Sequence, residues 1–241
     1  MKKWTLVLLA LLPTPLHAQP TTIIHILNIH YVTPEVYATD LKDQDSTLTQ
    51  EQIDKQYFEF LKGVEARQKD QVILLRKAIK LYKLKGVYIE GLTEKNHKEI
   101  MKSVESMKEY EKTKEDPPDV FLELFAWQDR LVLGAAGQLV VKGELETLLV
   151  TEDSEAFEAA NPVTPDGKVV FDKKAGERRE DAIVSNLLKG SEVVVIVLGE
   201  DHDLGDNIKR LGPGVEYRRV VMTDRSRRRG EPRIIIRKVG E

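Results

Sequence analysis

The run Glu192–Leu198 (EVVVIVL) constrains the fold of this chain more than any other stretch. It is short, almost wholly apolar and rich in β-branched residues, which reads as a strand buried on both faces. Thr21–Val32 (TTIIHILNIHYV) reads as a second buried strand, and Val87-Tyr88-Ile89 as a third, entered through Gly86. Val215–Met222 and Ile234–Val239 read as two further strands. Between the first strand and Val87, apolar residues from Ile53 to Tyr82 recur at helical spacing. Thr49 and Gln52 supply a capping box at the start of that helix, which is expected to reach Lys85 with Gly86 as its stop. Alternating strands and helices argue for an α/β domain with a mainly parallel central sheet flanked by helices.

The remaining segments are assigned from weaker signals. Tyr37–Thr47 is irregular and acidic and reads as a loop. Thr93–Lys114 carries only a thin apolar stripe and reads as a surface helix, followed by a turn at KTKEDPP. Residues 119–172 read as a helical insertion, with Leu131–Leu149 apolar, small residues Gly134–Gly137 allowing close packing, and a turn at Pro165-Asp166-Gly167. Glu177–Leu188 reads as a helix and Asn207–Leu211 as a helical turn.

The chain of 241 residues contains no cysteine. That excludes disulfides, thiolate metal sites and a cysteine nucleophile, so any metal site must use His, Asp and Glu. Residues 1–18 read as a secretory signal: Lys2 and Lys3 precede the apolar run Trp4–Leu12, which Pro13 and Pro15 stop before Leu16-His17-Ala18. The run is shorter than the roughly 20 residues a membrane span needs. The expectation is therefore an exported protein, periplasmic or secreted, whose residues 19–241 form one α/β domain. The formal charge of −3 hides an imbalance, because the stretch from Asn207 onward holds eleven basic and four acidic residues. Arg225, Arg227, Arg228 and Arg229 fall in one hairpin tip, which would suit an anionic surface. No nucleic-acid motif accompanies them, and charge runs are usually solvated faces.

In open α/β sheets, ligands bind beyond the carboxyl ends of the strands. His30 closes the first predicted strand, Glu90 closes the strand at Val87, and His202 lies just past Leu198. Imidazole and carboxylate together can hold a divalent metal, or act as a base and its orienting acid. Each residue also has a plainer reading as a hydrogen-bonded polar group or cap. His25 sits inside an apolar run and reads as packing or as support behind the site, and His97 as a solvated helix residue.

The ordered set Asn28-Ile29-His30, Glu90, Arg179-Glu180-Asp181-Ala182-Ile183-Val184 and Gly199-Glu200-Asp201-His202 resembles the Tiki/TraB, erythromycin-esterase and ChaN-like haem-uptake superfamily. That group carries two GxxH motifs, a Glu between them and an RDxxMA-type helix. Here Leu27 stands where the first glycine would be, and Ile183 where the methionine would be. The likeness covers about residues 21–110 and 175–222. It implies a catalytic set of His30, Glu90, Arg179 and His202. The two histidines and Glu90 would hold a metal or activate water, and Arg179 would stabilise an oxyanion or anchor a substrate carboxylate. The implied activity is a hydrolase, peptidase or esterase, acting on a small-molecule or peptide substrate. The implied alternatives are a protein that binds haem or another anionic ligand without catalysis, and an inactive scaffold.

Overall fold

Strands β1 (Thr22–Asn28) and β4 (Val193–Gly199) form within the two apolar runs read as buried strands, and pair in parallel from Thr22 opposite Val193 to Asn28 opposite Gly199. The computed structural model describes residues 20–162, 170–222 and 234–238. The expected leader, the turn at Pro165-Asp166-Gly167 and the arginines at 225, 227, 228 and 229 lie outside the described residues. With β2 (Gly86–Thr93), β3 (Thr147–Glu152), β5 (Glu216–Met222) and β6 (Ile234–Lys238), the strands form a six-stranded sheet ordered β3-β2-β4-β1-β5-β6. The first five are parallel, and β6 pairs antiparallel with β5 at the edge.

Both faces of the sheet are covered, which is why β1 and β4 read as unbroken apolar runs. Ile24, Ile26, Val195 and Val197 pack beneath α2 (Gln50–Tyr82), α3 (His97–Thr113) and α4 (Val120–Val141). Ile23, Val194, Ile196 and Leu198 face the other way, against α6 (Lys173–Leu187) and α7 (Gly205–Leu211). This is the expected α/β architecture, in three layers.

The capping box forms at Thr49 and Gln52. Helix α2 stops at Tyr82, where Lys83 takes a left-handed conformation (φ 52°), so it falls short of Lys85. Gly86 instead begins β2, and a Cβ there would lie 2.7 Å from Leu149 Cγ.

Two segments differ from expectation. Tyr37–Thr47 belongs in large part to a helix, α1 (Pro34–Gln44). No α1 residue is buried, so the sequence shows no apolar period there. Its support is the Thr33 cap, Pro34 in the first turn, and Tyr37 stacked on Phe60 with ring centroids 5.0 Å apart. Within 119–172, α4 and α5 (Ser154–Ala159) are helical, but the apolar stretch Leu131–Leu149 is divided between α4 and β3. Gly134 (φ 67°, ψ −178°) breaks α4. The carbonyls freed at the break are taken by amides: Gln68 donates to Leu131 O and Gln138 to Arg130 O. After α4 the chain turns at Gly143 (φ 71°), whose N–H donates to Val140 O, and β3 joins the sheet beside β2. No helix among the described residues is long and apolar enough to cross a membrane.

Candidate functional site

The strand order places the carboxyl ends of β3, β2, β4 and β1 side by side. Glu152 ends β3, Glu90 lies near the end of β2, Gly199 ends β4, and His30 follows β1 by two residues. Residues far apart in sequence thereby share one rim. The ladder between β2 and β3 slips between Ile89 and Thr93, and Gly91 within that slip has φ 74°. Such a bulge re-aims a side chain at the end of a strand, and the residue at this one is Glu90.

Glu90 is the hub. Its Oε2 accepts from Gly199 N–H at 2.6 Å and faces His30 Nε2 at 3.1 Å. Its Oε1 faces His202 Nε2 at 3.4 Å and Arg179 Nη2 at 3.4 Å. Burial pushes the Glu90 carboxyl up, but the hydrogen bonds from His202, His30 and Gly199 N–H outweigh it and hold the group well below the usual carboxylate range. The four residues expected to form a site are thus brought together.

The two histidines differ. His202 Nδ1 meets Glu180 Oε1 at 3.0 Å while Nε2 meets Glu90, so both ring nitrogens donate to carboxylates. The Glu180 and Glu90 hydrogen bonds raise His202 to about 9, which makes it an imidazolium at neutral pH. The His30 side chain is 54% exposed. Its bond to Glu90 raises its pKa, and Nδ1 has no hydrogen-bond partner among the described residues.

Arg179 pairs across the site with Glu152 and Glu90 rather than along the helix surface with its neighbours Glu180 or Asp181. Its Nε and Nη2 form a forked pair with Glu152 at 3.1 and 2.6 Å, while Nη2 also reaches Glu90. Glu152 has no exposed side-chain surface, so Arg179 neutralises a wholly buried carboxylate. Glu152 and Glu180 were not singled out from the sequence. Glu180 stands beside Arg179 in the quoted motif, and Glu152 closes the run TLLVTE, whose strand character was the available signal.

Gly199 makes room for the pair: a Cβ there would lie 2.6 Å from His30 Nε2 and 3.2 Å from Glu90 Oε2, so the His30 ring would have to move. The close backbone approach therefore comes from the glycine of the second motif, while Leu27 remains inside β1, opposite Leu198. His25, within the same strand, is wholly buried between Tyr217 Oη (2.7 Å from Nδ1) and Leu198 O (3.0 Å from Nε2). His97 is half-buried, its Nε2 3.2 Å from Leu148 O, rather than solvated.

Two groups implied by the resemblance can be set against this geometry. Both imidazole Nε2 atoms are directed at oxygens of one carboxylate, and among the described residues no group of three or more His, Asp or Glu is placed to hold a metal ion. The arrangement does not fit a divalent metal, and no step is derived through one. A cavity of about 770 Å³ lies behind Glu180, between α6 and α7. Asp172, Glu177, Asp203 and Asp206 line it together with Lys173 and Arg210, and Phe171 is the large apolar side chain among its lining residues, which makes it too polar for the ring of haem.

No family model, curated protein or solved structure matches the chain.

Proposed function

We propose that the protein is an exported hydrolase of ester or peptide bonds in which His30, oriented by Glu90, is the general base. The observation that carries this reading is the pairing of an exposed imidazole with a largely buried carboxylate that is itself fixed by Gly199 N–H, Arg179 and His202. His30 Nε2–H donates to Glu90, which leaves Nδ1 to accept a proton. Water approaching Nδ1 gives up a proton as its oxygen bonds to the substrate's carbonyl carbon. The tetrahedral adduct then collapses, the bond to the leaving oxygen or nitrogen breaks, and the proton on His30 passes to that atom. The imidazolium of His202 lies on the other oxygen of Glu90 and offsets negative charge developing nearby. Arg179, held by Glu152 and Glu90, keeps Glu90 in place. The resemblance of the ordered residues His30, Glu90, Arg179 and His202 to the Tiki/TraB, erythromycin-esterase and ChaN-like group supports the same reading.

The test is a panel of acyl esters, lactones and peptides assayed with the wild-type chain, His30→Asn and Glu90→Gln. Loss of a general base costs about 10²–10⁴-fold, and both variants should fall by that order with the fold intact. A wild-type chain inactive on the whole panel, with or without added divalent metal, overturns the proposal. A Soret shift with hemin that disappears in His30→Asn would then favour the ligand-binding alternative.

A further inference from the structure

One buried polar pair lies behind the site and takes no part in the chemistry above. His25 on β1 is wholly buried, and Tyr217 on β5 is 3% exposed. A carbonyl only accepts, so the proton on His25 must be on Nε2, facing Leu198 O, and Nδ1 must accept from the Tyr217 hydroxyl. Leu198 C=O and Gly199 N–H belong to the same peptide unit. On its far side that unit donates to Glu90 Oε2 at 2.6 Å. A hydrogen-bonded chain therefore runs from Tyr217 through His25, across one peptide plane, to the carboxylate that faces His30. It crosses β5, β1, β4 and β2 in turn.

We propose that His25, oriented by Tyr217, is a positioning residue for Glu90 and acts through the Leu198–Gly199 peptide. Two physical arguments support it. Glycine determines its own backbone conformation less than any other residue, and at position 199 a side chain would fit only if the His30 ring moved away from Glu90. Contacts from neighbouring elements then help to orient it: His25 holds the carbonyl end of the Leu198–Gly199 peptide, and His202 N–H donates to Gly199 O, on the next peptide unit, at 3.3 Å. The second argument is that a buried polar pair replaced on both sides by apolar groups is close to neutral in stability. Packing alone gives no reason for an imidazole and a phenol here, whereas hydrogen bonds in a chain polarise one another and strengthen the donor at Gly199. The pKa of His25, lowered to about 4 by burial, agrees with a neutral ring that donates through one nitrogen.

The inference deepens the hydrolase reading but has a test independent of it. The full chain is prepared as wild type, His25→Phe, His25→Gln and Tyr217→Phe, each checked for cooperative unfolding, and the Gly199 amide is followed by NMR. In His25→Phe the Gly199 proton should move upfield and exchange about tenfold faster, the upper end of what one hydrogen bond supplies. His25→Gln, which keeps a donor toward Leu198 O, should recover most of that change. If His25→Phe does not fold, Tyr217→Phe decides, with a smaller shift of the same sign expected. An unchanged Gly199 amide in a folded His25→Phe or, failing that, Tyr217→Phe overturns the inference, as does a His25→Gln no better than Phe. Where hydrolysis is detected, His25→Phe should lower kcat and leave KM alone. If no hydrolysis is found, the hydrolase reading fails while the Gly199 signal still decides the role of His25.

Discussion

At position 199 a single methyl group meets the His30 ring and the Glu90 carboxylate at once. Gly199→Ala should therefore displace the half-exposed His30 ring from Glu90, at a cost no higher than the low end of the about 1–3 kcal/mol that overpacking a closed core carries. Urea unfolding reads the cost, and the His30 ring resonances read the displacement. Glu90→Gln has a different signature. It removes the charge facing His30, His202 and Arg179, so the titrations of both histidines should move down toward that of a free imidazole. A His202 titration that stays near 9 in Glu90→Gln would show that Glu180 alone sustains it.

The elements differ in how far local sequence determines them. Capping at Thr49 is local, and Thr49→Ala should lower stability by about 1 kcal/mol with no effect on the site. Helix α6 has a long-range duty: it carries Arg179 to the buried Glu152 of β3. Lysine cannot reproduce the fork, and removal of one partner of a buried pair costs about 3–5 kcal/mol. Arg179→Ala should reach that range and Arg179→Lys should fall below it, both measured by denaturant midpoint. Strands β1 and β4 and helix α2 were legible because burial left an unbroken or periodic apolar pattern. Helix α1 was not, because it buries nothing and is held by its cap and by Tyr37. Strand β3 was hidden for another reason: it follows an apolar helix broken at Gly134, and residue types alone do not separate the two. Glu152 was missed along with it.

For the molecule as a whole, the histidines set opposing pH limits. His25 is held at about 4 against 6.5 when free, so between those values the folded chain binds fewer protons than the unfolded chain, and stability falls as the pH drops. His202 is held at about 9, so between 6.5 and 9 the folded chain binds more protons, and stability falls as the pH rises. Stability should peak near pH 6.5, with His25→Phe flattening the acid limb and His202→Gln the alkaline one; a urea midpoint constant from pH 5 to 9 contradicts this. The rim at the strand ends was legible from His30, Glu90 and His202 because a parallel sheet brings such ends together. The hydrogen-bond order within the rim was not, because it depends on which strands are neighbours.

That neighbour order also governs when the protein can form. Both partners of β1, strands β4 and β5, lie beyond residue 192, although β1 precedes β2 and β3 in the chain. A growing chain thus holds β1 unpaired until β4 has been synthesised, and β4 enters as the wedge that joins β1 to β2. A fragment ending before Val193 should show no cooperative unfolding transition, and the His30–Glu90 pair can assemble only after β4 has been made.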